Sequence, residues 1–361
     1  GNALTQTDPL GNTTTTVYDS YNLYPETITN ALDHVQTFEY DFSAGRPTRV
    51  VEANGTITEM DYDGLGRSKE ERQSSTSDAA TLETTQSWEY DDTSSSRSVT
   101  QRTYLLTLMY QEAITYVDGF SRVVDVKTLN EDGTGYTEME KTYTELGRVA
   151  TSTLPEESAT SAYDANTVSA DLSEQYTYDP LSRVTTVTNV LGSTTTSYDG
   201  FTKTVTDPLG NQKEYTADGL GRLVAVVEYV DGVAFTTSYT WNTTDYLTSI
   251  TDAMGNVRNF TYNGRGLQLT AEDLHVESDT TYGTWTYTYD AAGNRETSLS
   301  PSGVTVAYGY DALNRQTSED ASDSAEVEVT NTYDSCTGGT GRLCTAAVNS
   351  GATTDYTYDA A

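Results

Sequence analysis

The stretch YDGLGR, residues 62–67, returns with drift as YVDGFSR from Tyr116, YTELGR from Tyr143, YDPLSR from Tyr178, ADGLGR from Ala217 and YDALNR from Tyr310. A reactive site is needed once or twice, whereas a scaffold needs its corner each time the chain turns. The Tyr of each such corner, or its substitute, stands at Tyr18, Tyr40, Tyr62, Tyr90, Tyr116, Tyr143, Tyr178, Tyr198, Ala217, Trp241, Tyr262, Tyr289, Tyr310, Tyr333 and Tyr358, about fifteen units. Tyr18, Tyr40 and Tyr62 are 22 residues apart, and most later spacings lie between about 19 and 28, within the range of stacked supersecondary repeats. A second corner falls roughly midway: DPLGN at Asp8 and Asp207, DAMGN at Asp252, EANGT at Glu52, NVLGS at Asn189 and SPSGV at Ser300.

Between corners the aromatic residues fall at every second position, as in Val35-Gln36-Thr37-Phe38-Glu39-Tyr40 and Trp285-Thr286-Tyr287-Thr288-Tyr289. Residues so spaced share one face of a strand. The pattern predicts an all-β chain, a long antiparallel β-hairpin repeat array curling or spiralling into a shell- or rod-like sheet. Residues 1–361 form a single array, with a structural ladder that includes Tyr40, Tyr62, Tyr90, Tyr178, Tyr262, Tyr289, Tyr310 and Tyr358. Abundant Tyr and Thr suit a pleated surface. Polar insertions near 73–86, 150–175 and 318–326 read as surface loops. A unit of this size leaves about seven residues per strand, roughly 23 Å, and about thirty strands would span on the order of 140 Å unrolled. Flat sheets of that width are rare, so the strip must curl, with one aromatic buried per unit.

A net charge of −34, from 20 Lys and Arg against 54 Asp and Glu, repels phosphate backbones and anionic lipid surfaces. The expectation is therefore no nucleic-acid partner, and runs such as Leu223–Val227 are too short for a membrane-spanning helix. Ending just after a Tyr-Asp pair, the sequence has the look of a segment of a longer protein.

In YDGLGR the glycines can supply positive φ, the Asp can accept backbone hydrogen bonds within the turn, and the Tyr can bury its ring. The Arg that follows can pair with acidic neighbours. Some fifteen similar turns offer similar environments, which argues against a catalytic carboxylate among them. Cys336 and Cys344 flank the Gly-rich CTGGTGRLC; they are either a disulfide, which suits an oxidising extracellular compartment, or two free thiols. Two Cys with His34 and His275 distant in sequence do not make a zinc site, and each His reads as a surface or turn residue. No phosphate loop or nucleophile elbow is present. Asp61/Asp63 and Asp91/Asp92 offer oxygen ligands to calcium without a known calcium-loop pattern. No other cofactor is expected.

The alternation of YDGLGR-type and DPLGN-type corners, with YTYDAAGNR at 287–295 and YGYDALNR at 308–315, resembles the Rhs or YD-repeat family, which includes bacterial Rhs toxins, Tc toxin B and C components and teneurins. The resemblance runs along essentially the whole chain, with Ala217 in place of a Tyr and Asn263 in place of an Asp. It implies a β-strip that spirals into a hollow shell around an enclosed C-terminal segment. The family's DPxGLxDGxNxY core and its aspartyl cleavage site have no match here, so no catalytic residue is carried over. The expected function is a non-enzymatic section of such a shell in a large secreted or surface bacterial protein, enclosing or presenting another segment. The alternatives are an extracellular adhesin or filament module that contacts glycans or neighbouring copies, and a carbohydrate-active hydrolase.

Overall fold

The computed structural model describes residues 1–74, 82–93, 96–106, 109–163, 172–324, 326–349 and 351–358. Among these residues the chain forms 32 strands and no α-helix. The strands pair antiparallel with their neighbours in sequence: Val35–Asp41 lies between Pro25–Thr29 and Arg46–Val51, and Gly192–Asp199 between Val184–Asn189 and Thr202–Thr206. The fold is an antiparallel meander because each strand is too short, polar and Thr-rich to do more than pair with the next.

Two compact units emerge: Gly1–Thr85 with Trp241–Ser249 and Asn256–Ala361, and Gln86–Thr240 with Ile250–Gly255. Each contains one departure from the simple meander. In the first, Asn256–Tyr262 pairs with both Gln268–Glu272 and the short His275–Val276, while Gln268–Glu272 goes on to Thr284–Tyr289. In the second, Tyr136–Tyr143 pairs with Val149–Thr153 at one end and with Glu156–Ser158 at the other.

The insertions are shorter than the sequence suggests. Gln73 and Ser74 continue one strand, Glu83–Gln86 begins another, and 75–81 lies outside the described residues. Within 150–175, residues 150–153, 156–158 and 173–175 are strand, and 164–171 is not described. Ser318–Ala321 is also strand, since Ser318 and Glu319 pair on both sides. Polar composition misleads here because a strand in a strip can be satisfied by its ladder alone.

The two corner types differ in register. The pairing slips by one residue at Tyr18, Tyr40, Tyr62, Tyr143, Tyr178, Tyr262, Tyr289, Tyr310 and Tyr333, and the slip persists at Ala217. Hairpins closed by the other corner, such as Val205↔Lys213 with Thr206↔Gln212, pair without a slip. A bulge increases local twist, so twist is strengthened at these corners; Tyr90 and Tyr198 pair without a slip.

Little of this fold is core. Ile57 and Ala271 are buried in the first unit and Ile114, Tyr116 and Val226 in the second, together with buried polar residues such as Ser74, Asp125 and Lys127. The ladder tyrosines are half-buried rather than sealed inside.

Candidate functional site: the corners and a buried charge cluster

At Asp63 one carboxylate oxygen, Oδ1, accepts the backbone N–H of Leu65 and of Arg67, both at 2.9 Å, while Oδ2 accepts Arg67 Nε at 2.7 Å. The backbone closes the same loop, with Gly66 N donating to Asp63 O and Asp63 N donating to Arg67 O, both at 2.9 Å. Asp118, Asp179, Asp218 and Asp311 repeat this set with Arg122, Arg183, Arg222 and Arg315. The midway corners are the same object with Asn in the Arg position: Asn12 Nδ2 reaches Asp8 Oδ2 at 3.0 Å and Asn211 Nδ2 reaches Asp207 Oδ2 at 2.8 Å. Asn263 preserves the part an amide can play, accepting from the N–H groups of Arg265 and Leu267.

Only one glycine of YDGLGR needs its freedom. Gly66 has φ of 76°, whereas Gly64 is outside the left-handed region. Ser121, Ser182, Asp245 and Asn314 hold the same left-handed position at other corners. The carboxylates are held below their ordinary range: for Asp63 the Arg67 backbone N–H is the leading cause, and for Asp118 and Asp218 it is the side-chain bond from the following Arg.

At many corners the Tyr before the Asp links one corner to the preceding one. Its hydroxyl donates to the carbonyl just past that earlier corner: Tyr62 to Pro47 at 2.7 Å, Tyr143 to Val123 at 2.5 Å, Tyr178 to Val149 at 2.8 Å, Tyr289 to Gln268 at 2.8 Å, Tyr310 to Arg295 at 3.0 Å and Tyr358 to Leu343 at 2.6 Å. The guanidinium of the earlier corner covers the ring, as Arg122 does over Tyr143 at 4.4 Å and Arg183 over Tyr198 at 4.0 Å. Where that Arg is missing, Tyr24 stacks on Tyr40 and Tyr246 on Tyr262. Tyr90, in Glu83–Asp91, sits opposite Val99. Sequence reasoning missed this relay, because motif spacing does not say which neighbour an Arg covers.

The corner residue two past the Asp points outward. Phe120 is 82% exposed and Leu209 88% exposed, and Leu65, Leu146, Leu181, Leu220 and Met254 are similarly bare. Both corner types therefore expose an apolar side chain.

Cys336 and Cys344 are joined by a disulfide that staples an enlarged corner, closed where Asp334 N donates to Arg342 O at 3.1 Å. Arg315 bridges Asp311 and Asp334, and Gly341 N donates to Asp334 Oδ1 at 2.6 Å. His34 Nε2 lies 3.8 Å from Asp334 Oδ2, so the enlarged corner faces a cleft shared with Asn30, Glu52 and Asn54. His275 is buried rather than a surface or turn residue: its ring stacks on Tyr282 at 3.7 Å and its Nδ1 is 2.7 Å from Asp273 O.

The proposed calcium ligands point elsewhere. Asp61 pairs with Arg72, Asp63 serves its own turn and Asp91 binds Thr93. Among the described residues no group of three or more His, Cys, Asp or Glu is arranged to hold a metal, and no helix is long and apolar enough to cross a membrane.

One constellation was not anticipated. Asp125 and Lys127 on one strand face Glu140 and Glu138 on the next, and all four are buried, with Ser158 and Thr160 reaching Lys127 and Ser161 reaching Tyr116. The signal was available as DVK opposite EME, charges at alternate positions of adjacent strands, but their burial depends on the covering segment.

No family model and no curated protein matches the sequence. By fold, the chain is similar to solved chains of TcdB2-TccC3. A TcdB2-TccC3-TEV crystal structure gives a TM-score of 0.74 at 12% identity, covering 96% of this chain and 23% of that one. A Photorhabdus luminescens Tc holotoxin pore gives 0.75 at 12% identity over 94% of this chain and 23% of that one. TcdB2-TccC3 without its hypervariable C-terminal region gives 0.59 at 10% identity, covering 100% and 29%. The chain thus spans less than a third of those chains and shares with them an all-β fold.

Proposed function

We propose that this chain is a non-enzymatic scaffold, a section of Rhs/YD-repeat β-shell from a large secreted or surface protein that encloses or presents another segment. The observation that carries this reading is that the recurring chemistry is consumed internally: corner carboxylates such as Asp63, Asp118 and Asp218 serve their own turns, and the hydroxyls of Tyr62, Tyr143, Tyr178 and Tyr289 tie down the preceding hairpin. The fold likeness to TcdB2-TccC3 supports it, and the disulfide supports an oxidising location. Electron microscopy of the full-length gene product tests the reading, with hollow particles that shield an internal segment from protease as the expected result. Solid extended polymers would replace it with the second reading, a filament module, which the exposed apolar corner rows favour. Turnover on a glycan panel, abolished by a single carboxylate substitution, would overturn the non-enzymatic assignment.

A further inference from the structure

Three neighbouring strands of the second unit, Met109–Val117, Val123–Leu129 and Tyr136–Tyr143, place Ile114 opposite Lys127 and Lys127 opposite Glu138. Tyr116 stands opposite Asp125, and Asp125 opposite Glu140. Lys127 and Asp125 are 0% exposed and Glu138 3%. Lys127 Nζ lies 2.8 Å from Glu138 Oε1, yet that oxygen receives no hydrogen bond, so the amine approaches outside the hydrogen-bonding directions. Asp125 Oδ2 is 3.9 Å from the same nitrogen, and neither oxygen of Asp125 is met by a backbone, hydroxyl or amine donor, its polar neighbour being the Glu138 carboxyl. Ser158 Oγ and Thr160 O cap Nζ from the covering segment at 3.2 and 3.4 Å, and Tyr116 donates to Ser161 O at 2.6 Å.

We infer that Lys127 and Glu138 condense into an intramolecular isopeptide bond, with Asp125 as the proton carrier beside them. Burying an ammonium and a carboxylate is expensive, and a neutral amide in the same place removes both charges. Contact in a dry, fixed geometry also supplies the proximity that makes condensation feasible without prior activation of the acid. Proton transfer from Lys127 to Glu138 gives amine and carboxylic acid. The Nζ–Cδ bond then forms and a Cδ–O bond breaks. Asp125 donates a proton to the departing oxygen and takes one back from nitrogen, so one water leaves and no electrons are transferred. Burial, then the charge of Glu138, pushes Asp125 up to about 7, which keeps a proton available near neutrality. Glu138 is the acyl partner rather than Asp125 because it is nearer and on the facing strand, so the bond would lock two strands together in a fold with little core.

The test is the intact mass of the denatured full chain after reduction of its disulfide, followed by peptide mapping. The expected result is a mass one water below that of the sequence and a branched peptide joining Lys127 to Glu138. Lys127→Arg keeps a buried cation without a nucleophilic amine and should return the full mass. Asp125→Asn, confirmed folded by circular dichroism, should slow condensation about 100-fold or more. A wild-type chain that stays at full mass, water loss that survives Lys127→Arg, or a branch at any other residue overturns the inference.

Discussion

At Tyr62 the ring, the hydroxyl and the adjoining Asp63 each answer to a different neighbour: Arg46, Pro47 and the turn to Arg67. Tyr62→Phe removes one hydrogen bond and should lower stability by about 0.5–1.5 kcal/mol in urea denaturation, since the Pro47 carbonyl loses its donor. Gly66→Val should lower it by about 1–2 kcal/mol, because a β-branched residue resists positive φ. Gly64→Ala, with open space around the added methyl, should be nearly silent. The corner carboxylates set an acid limit. Their folded values lie below the ordinary 3.8, so the stability they lend is present above that pH and is lost as pH falls through the lower folded values. A thermal-melt series between about pH 5 and pH 2 should therefore fall steeply below about pH 4, and a flat series would contradict the shared-turn geometry.

Among the elements, the hairpins were the most legible. Alternation and two corners per period announce antiparallel strands, because side chains of period two and a tight turn leave the backbone few other options. The bulge at the Tyr corner was not legible: it persists where Ala217 replaces the Tyr and is absent at Tyr198 and Tyr90, so no single residue marks it. The covering of Tyr143 by Arg122 was hidden for a similar reason, as it joins residues from successive units. The corner that Cys336 and Cys344 staple is larger than its fellows, and sequence alone left open whether those thiols met. Reducing that bridge should lower stability by about 2–3 kcal/mol in the chain-entropy account, measured as a shift in urea midpoint with and without a dithiol reductant. An unchanged midpoint with both thiols free would show that the staple adds nothing to the folded state.

For the whole molecule, charge is the dominant quantity. With −34 spread over 361 residues and half-buried surfaces throughout, self-repulsion opposes the folded state. Raising monovalent salt from about 0.01 to 0.15 M shortens the screening length from roughly 30 to 8 Å and should raise the melting temperature in differential scanning calorimetry; a decrease would mean that local ion pairs such as Asp63–Arg67 outweigh the general repulsion. The sequence by itself determined the strands, their antiparallel order and the turn chemistry, because these depend on residues a few positions apart. Tertiary structure alone decided which Tyr an Arg covers, where the enlarged Cys336–Cys344 corner rests, and that Lys127, Asp125 and Glu138 share a dry site, because burial is set by segments distant along the chain. YDGLGR is a corner on any reading of its residues, but only folding shows that its Tyr62 is tied to the corner before it.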